Sequence, residues 1–188
     1  DQYIKNGCVK NVLVVGTEKI TSLLDWKDRN TCVLFGDGAG AVILSSSSEP
    51  GIMSSTIVSD GSYKDLLTVN TDPEFIEMKG NDVFKIAVNT LGKLAISTLS
   101  KNNISADDLD WFIPHQANSR IIMAIAKKIK LSPNKIIMTV NKHGNTSAAS
   151  IPLALDDSNK KGLLKKGNLI MFEAFGAGFT WGSNLLRF

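Results

Sequence analysis

The sequence has few of the features that mark specialised classes of protein. Its two cysteines, Cys8 and Cys32, lie in or beside apolar segments without CxxC or Cys/His spacing, which indicates buried, reduced thiols rather than a zinc site. No apolar run is long enough to span a bilayer, and no signal peptide is evident. We therefore expect a cytoplasmic protein with no membrane partner.

The chain also has little excess of positive over negative charge. The 21 basic and 18 acidic residues leave a net charge of +3, and lysine greatly outnumbers arginine. Sequence-specific recognition of bases depends on bidentate contacts from arginine, so nucleic acid is not an expected partner.

Several catalytic motifs are missing. There is no Gly-x-Ser-x-Gly elbow, metal-ligand cluster or paired-carboxylate motif. The glycine-rich run at residues 36–40 (GDGAG) is not followed by Lys-Ser/Thr or by a predicted helix, so it does not fit a phosphate-binding loop. Close approach of the backbone to a neighbouring segment explains these glycines better.

What is present predicts a layered α/β domain with a mixed sheet. A length of 188 residues with 43% hydrophobic content is enough for one substantial core. We predict helices at residues 81–101, 119–130 and 145–159, and the last turns of a helix at residues 1–7. We predict strands at residues 11–16 (central and covered on both faces), 31–35, 41–45, 51–58, 110–113, 136–140, 168–174 and 179–188.

Two polar residues stand where ligands collect in such folds. His115 follows a predicted strand that Pro114 ends, and Asn145 lies where a strand gives way to a helix. Both side chains can donate an N–H to one developing oxyanion, which suits carbon–carbon bond formation on a thioester. Taken alone, a histidine beside proline and an asparagine at a helix start are more often structural.

The helix at residues 119–130 has a basic face. Its isoleucines fall on one side, whereas Arg120, Lys127 and Lys128 fall together on the other. This pattern fits an ordinary solvated surface, and it also fits the docking of an acidic partner beside His115.

Four motifs resemble one family of enzymes. They are residues 35–41 (FGDGAGA), 114–118 (PHQAN), 143–150 (HGNTSAAS) and 173–182 (EAFGAGFTWG). In this order they closely resemble β-ketoacyl-acyl carrier protein synthase III, the initiating condensing enzyme of type II fatty acid synthesis. The resemblance implies a thiolase-like layered αβαβα fold with an incomplete N-terminal half. Residues 1–80 would be the remainder of that half plus a connecting segment, and residues 81–188 the C-terminal half.

The resemblance also implies an activity. The expected protein is an acyltransferase of lipid metabolism that condenses acetyl-CoA, or a similar acyl-CoA, with malonyl-acyl carrier protein, with loss of CO2. It implies a cytoplasmic homodimer with no cofactor beyond the acyl-CoA substrate. Two alternatives stay open: a related thiolase-fold synthase of secondary metabolism, and a non-catalytic module that binds carrier protein.

The family uses a Cys-His-Asn triad, in which His115 and Asn145 match the second and third members. Its nucleophilic cysteine begins a helix whose closing turns residues 1–7 resemble, so neither Cys8 nor Cys32 matches. We expect that cysteine upstream of residue 1, and the 188 residues alone to be inactive.

Other roles follow from the same resemblance. The glycine loop Gly176, Ala177 and Gly178 would supply a backbone oxyanion donor, and Phe84 would be an active-site aromatic. Gly80 and Asn118 would contact the pantetheine arm of CoA. Acyl carrier protein would dock on Lys85, Arg120, Lys127 and Lys128.

Overall fold

A computed structural model describes residues 1–188, and at its centre is a four-stranded mixed sheet. The strand order is β3 (Ile52–Ser59), β8 (Thr180–Arg187), β7 (Leu169–Gly176) and β6 (Trp111–Pro114). β8 runs antiparallel to β3 and β7, whereas β6 and β7 are parallel. Phe112, Ile113 and Ile170 are inaccessible to solvent because this sheet is covered on both faces.

Helices pack against both faces of this sheet. On one face, α2 (Gly80–Lys101) and α3 (Ser119–Lys128) form the larger core around Leu91, Ile125 and Met171. On the other face, Ala154 of α5 (Ser150–Lys160) packs with Ile113 and Ile170. The predictions of α2 and α3 are confirmed. α5 begins later than predicted because the 3-10 turn Ser147–Ala149 precedes it.

The strands β1 (Asn11–Glu18) and β2 (Gly38–Ser45) form a separate antiparallel pair, which packs on α5 and on the turn Ser147–Ala149. Within residues 1–188 the layers are therefore α2 and α3, the central sheet, α5, and this pair. The strand predicted at residues 11–16 is confirmed, but within residues 1–188 only one of its two faces is covered. Leu13 and Val15 are 64% and 56% exposed, because an apolar run favours burial without specifying what covers it.

Glycines let β1 and β2 approach the segment around Asn145 closely. A Cβ built at Gly16 would overlap the carbonyl of Ala148, and one at Gly40 would lie 2.5 Å from the Cβ of Pro152. The interpretation of residues 36–40 as a site of close backbone approach is confirmed. These contacts hold the start of α5 against the pair formed by β1 and β2.

The predicted strand at residues 31–35 is wrong, because Asp28 organises this segment into turns. The Asp28 carboxylate accepts from Asn30 N and from Thr31 Oγ1, while its carbonyl accepts from Cys32 N. Only Phe35 forms a bridge, to Asn145. The local hydrogen bonds to Asp28 thus stabilise turns where the apolar, β-branched run predicted a strand.

The predicted strand at residues 136–140 is also wrong. Ile137 N donates to Phe112 O, but the next backbone groups bond to the side chain of Gln116 instead of a strand. The chain then enters the short helix α4 (Val140–His143). Asn145 therefore follows a helix and a glycine with φ of +67°, not a strand.

The remaining elements are short. They are α1 (Gln2–Lys5), β4 (Leu67–Val69), β5 (Ile76–Met78) and single 3-10 turns. The helix end at residues 1–7 is confirmed, and Gly7 follows it with φ of +72°. The predicted boundary at residue 80 stays a prediction: α2 begins at Gly80, but β3 from the first segment is hydrogen-bonded to β8 of the second.

Replacement of Gly16 should destabilise the fold, since an alanine methyl group would push against the backbone at Ala148. We expect Gly16→Ala to lower the free energy of unfolding of the full-length gene product by about 1–3 kcal/mol in urea denaturation. Gly61→Ala is the matched control, because a Cβ there has nothing within 4 Å. Equal effects of the two substitutions would contradict the close approach.

Candidate active site

A cavity of about 670 Å³ opens at the carboxyl ends of the parallel strands β6 and β7. This edge of an α/β sheet is where ligands ordinarily bind. Its wall includes most of the residues that the sequence proposed for the site: Gly80, Phe84, His115, Asn118, Arg120, Asn145, Gly176 and Ala177. The hairpin of β4 and β5 forms another part of the wall, a contribution that the sequence did not predict.

His115 is fixed at both its backbone and its ring. Its N–H donates to the carbonyl of Glu173 on β7 at 2.6 Å, and its Nδ1 lies 2.6 Å from Oγ of Ser150. Burial of the ring lowers the pKa of His115 to about 4, and the backbone of Ser147 opposes this shift only in part. The imidazole is therefore neutral at pH 7, when one ring nitrogen carries a proton and the other accepts.

Asn145 presents a free donor to the cavity. Its backbone is held in a bridge, since its N–H donates to Leu34 O and its carbonyl accepts from Gly36 N. The side-chain Oδ1 accepts from Ser147 N at 2.9 Å, which orients the amide. The Nδ2 makes no hydrogen bond within the chain, so both of its protons are available to a ligand.

Phe175 completes the environment of the histidine. Its ring meets that of His115 edge to face, with centroids 5.8 Å apart, and it also contacts Phe179. Sequence reasoning did not single out Phe175, although it lies within the EAFGAGFTWG motif. An apolar ring here excludes water and strengthens any hydrogen bond that His115 makes to a ligand.

The remaining predicted residues lie around the cavity or away from it. Arg120 stacks over the ring of Phe84, with Cζ 5.6 Å from the centroid. Lys127 and Lys128 follow on exposed turns of α3, and Lys128 Nζ donates to Asn89 Oδ1 at 3.0 Å. Lys85 forms an exposed ion pair with Asp82, and Lys85, Lys127, Lys128 and Gly178 are not among the residues that line the cavity.

Two buried polar residues behind the cavity were also missed. Gln116 is 1% exposed, and its side chain makes four hydrogen bonds to the backbone. Glu173 is equally buried but has no hydrogen-bond partner for either carboxylate oxygen, and burial raises its pKa well above the ordinary value. In the sequence, each of these residues is a polar residue among apolar neighbours. Hydrophobic periodicity alone does not show whether such a residue is buried.

Comparison with known proteins finds two family models that match the chain. The family model described as 3-oxoacyl-[acyl-carrier-protein (ACP)] synthase III C terminal matches residues 99–188. The model for 3-oxoacyl-[acyl-carrier-protein (ACP)] synthase III matches residues 1–61. Two models of 3-oxoacyl-acyl carrier protein synthase III thus match successive parts of the chain, one on each side of residues 62–98.

Individual members of this family are similar over the whole chain. A β-ketoacyl-acyl carrier protein synthase III from Vesicomyosocius okutanii is 54% identical over 192 residues, which cover 100% of this chain and 61% of that protein. The crystal structure of the synthase III from Aquifex aeolicus superposes with a TM-score of 0.97 at 44% identity, covering 100% of this chain and 61% of that one.

A solved structure from a polyketide biosynthetic pathway is also similar. The priming β-ketosynthase of a polyketide biosynthetic pathway superposes with a TM-score of 0.92 at 32% identity, covering 99% of this chain and 60% of that one. The thiolase-like α/β fold predicted from the sequence is confirmed by these superpositions. The chain spans about 61% of the length of the curated relative from Vesicomyosocius okutanii.

Two other features are absent from residues 1–188. None of the helices combines the length and apolar character needed to cross a membrane. No group of His, Cys, Asp or Glu side chains is arranged to hold a metal ion.

The unpaired Glu173 makes a testable contribution to the pH dependence of folding. Its folded pKa is raised above the ordinary 4.5, so the unfolded state loses its proton first as pH rises, and stability falls through that range. Glu173→Gln removes this effect. The stability of the variant relative to the parent should therefore grow by about 1.4 kcal/mol per pH unit above pH 4.5, up to the folded pKa.

Urea denaturation of both proteins between pH 4.5 and about pH 7.5 measures this difference. A difference that does not change with pH would mean that Glu173 ionises in the folded protein much as it does in the unfolded chain.

Proposed function

We propose that the protein is a β-ketoacyl-acyl carrier protein synthase III, which starts fatty acid synthesis by decarboxylative condensation. The observation that carries this proposal is that His115 and Asn145 line one cavity, the first neutral and the second with an unused amide donor. Two N–H donors without a formal positive charge suit an enolate that must form and then react.

The proposed reaction has two stages. A cysteine thiolate first attacks acyl-CoA, forming an acyl-enzyme thioester and releasing CoA. Malonyl-acyl carrier protein then loses CO2, and the electron pair of the broken C–C bond becomes an enolate. The enolate carbon attacks the acyl thioester, forming the new C–C bond and releasing the cysteine thiolate.

The nucleophile is not among the residues that line the cavity. The prediction that both thiols are buried is wrong within residues 1–188, where Cys8 is exposed and Cys32 is half-buried. Cys32 belongs to the turns organised by Asp28, and neither cysteine begins a helix facing His115. We therefore propose that the cysteine lies outside residues 1–188, in keeping with the share of its relatives that the chain spans.

His115 and Asn145 would stabilise the enolate oxygen as negative charge develops on the malonyl thioester. Each donor in a site shielded from water is worth about 10²–10³ in rate. Phe175 and Phe84 would disfavour the malonyl carboxylate beside them and so favour its loss as CO2. The backbone of the loop Gly176–Gly178 would supply the donor for the oxygen of the acyl-enzyme.

The substrates would enter along the remaining wall. Gly80 and Asn118 are the proposed contacts of the pantetheine arm. Lys85, Arg120, Lys127 and Lys128 are the proposed docking surface for the acidic carrier protein, and the exposed positions of the three lysines suit that role. A cytoplasmic homodimer is part of the same proposal and rests on the family resemblance.

A second candidate is a synthase of secondary metabolism that uses the same residues with another primer. The similarity to a polyketide priming ketosynthase favours this alternative. A panel of acyl-CoA primers distinguishes the two, since an initiating fatty acid enzyme should turn over acetyl-CoA or a similar short primer. The non-catalytic carrier-binding module would turn over none of them.

The two histidines of the chain provide a matched test. In the full-length gene product, His115→Ala and Asn145→Ala should each lower decarboxylation of malonyl-acyl carrier protein and condensation by about 10²–10³ or more. His143→Ala should change both by less than about threefold, because His143 is exposed and away from the cavity. Unchanged decarboxylation in His115→Ala would overturn the proposed role of the pair.

A further inference from the structure

Ser150 lies directly behind His115. It is the first residue of α5, it is 2% exposed, and its Oγ is 2.6 Å from His115 Nδ1. The same oxygen accepts a hydrogen bond from the backbone N–H of Gln116 at 3.3 Å. Ser150 therefore joins the backbone that follows β6 to the ring that faces the cavity.

The two bonds of the Ser150 oxygen favour one tautomer of His115. If this oxygen accepted from both Gln116 N and an Nδ1–H, its own buried proton would have no partner. A backbone N–H only donates, so Gln116 uses one lone pair of the Ser150 oxygen. The hydroxyl group has a single proton, and His115 Nδ1 is its one partner among the hydrogen bonds of the chain. A proton donated to Nδ1 makes that nitrogen an acceptor, which leaves the imidazole proton on Nε2.

The Ser150 hydroxyl is the one side-chain hydrogen-bond partner of the His115 ring within the chain. Without this hydroxyl, no side chain donates to Nδ1, and nothing then keeps that nitrogen unprotonated.

We propose that Ser150 is a positioning residue that holds His115 in the Nε2–H tautomer, so that the ring presents a donor to the cavity and not a lone pair. Its role in the reaction rests on the function proposed above. A tautomer with the proton on Nδ1 would place a lone pair against the developing enolate oxygen, which would be repelled.

The experiment combines two measurements on the full-length gene product. Nitrogen-15 NMR of labelled histidine identifies the tautomer, because protonated and unprotonated ring nitrogens have distinct shifts, and His143→Ala removes the signal of the other histidine of this chain. Condensation kinetics give the effect on rate. The variants are Ser150→Ala, which deletes the hydroxyl, and Ser150→Thr, which keeps it.

Ser158→Ala is the control for loss of a buried serine in the same helix. Ser158 is 1% exposed, and its Oγ donates to Ala154 O at 2.7 Å, away from His115. We expect the parent, Ser158→Ala and Ser150→Thr to have the Nε2–H tautomer. We expect Ser150→Ala to lose it and to lower kcat by about tenfold or more, with KM for acyl-CoA within about threefold.

Two results would overturn the proposal. One is an Nδ1–H ring in the parent protein, a result that does not depend on whether any variant folds. The other is an Nε2–H ring that persists in Ser150→Ala. A third result separates the two proposals. If the tautomer changes as expected but neither the parent nor any variant condenses or decarboxylates, the positioning role of Ser150 stands and the proposed function fails.

Discussion

The four hydrogen bonds of the Gln116 side chain connect the two segments that carry His115 and Asn145. Its nitrogen donates to the carbonyls of Pro114 and Ile137, and its oxygen accepts from the N–H groups of Thr139 and Val140. Pro114 ends β6 immediately before His115. The other bonded residues lead into α4 and then to Asn145. Because every polar atom of this buried amide is paired, it fixes one geometry between the segments.

Electrostatics around the cavity follow from burial more than from paired charges. His115 is neutral because its ring is desolvated, and burial raises the pKa of Glu173, which has no partner. Phe175 closes the space beside the histidine. In such surroundings fixed N–H dipoles act strongly on a developing negative charge and need no reorganisation when it forms. The basic residues Lys127 and Lys128 lie outside this cavity, where charge can steer a partner without altering the chemistry.

Much of the fold could be predicted because its elements carry periodic patterns. α2 shows an apolar stripe over many turns, and β7 and β8 flank a glycine loop. The failures at residues 31–35 and 136–140 both come from bonds that replace a strand ladder. At residues 31–35, the N–H groups of Thr31 and Cys32 donate to the carbonyl of Asp28 in a turn. At residues 136–140, the N–H groups of Thr139 and Val140 donate to the side chain of Gln116. Such bonds depend on contacts that sequence periodicity does not describe.

The candidate site divides in the same way. His115 and Asn145 could be singled out from their places after Pro114 and before α5, and the resemblance gave them roles. Ser150 and Phe175 lie inside the same motifs, but only distances relate them to the histidine ring. Sequence spacing shows which residues are near in the chain, whereas hydrogen bonds and ring contacts depend on the three-dimensional structure.

The neutrality of His115 is the point on which the proposed chemistry depends most. An NMR titration of its ring in the full-length gene product, with the His143→Ala background to simplify the spectrum, measures it directly. The ring should stay neutral from about pH 8 to about pH 5 and be half-protonated at about pH 4. Half-protonation near the ordinary value of 6.5 would contradict the account, because the site would then hold a mixture of neutral and charged rings near pH 7.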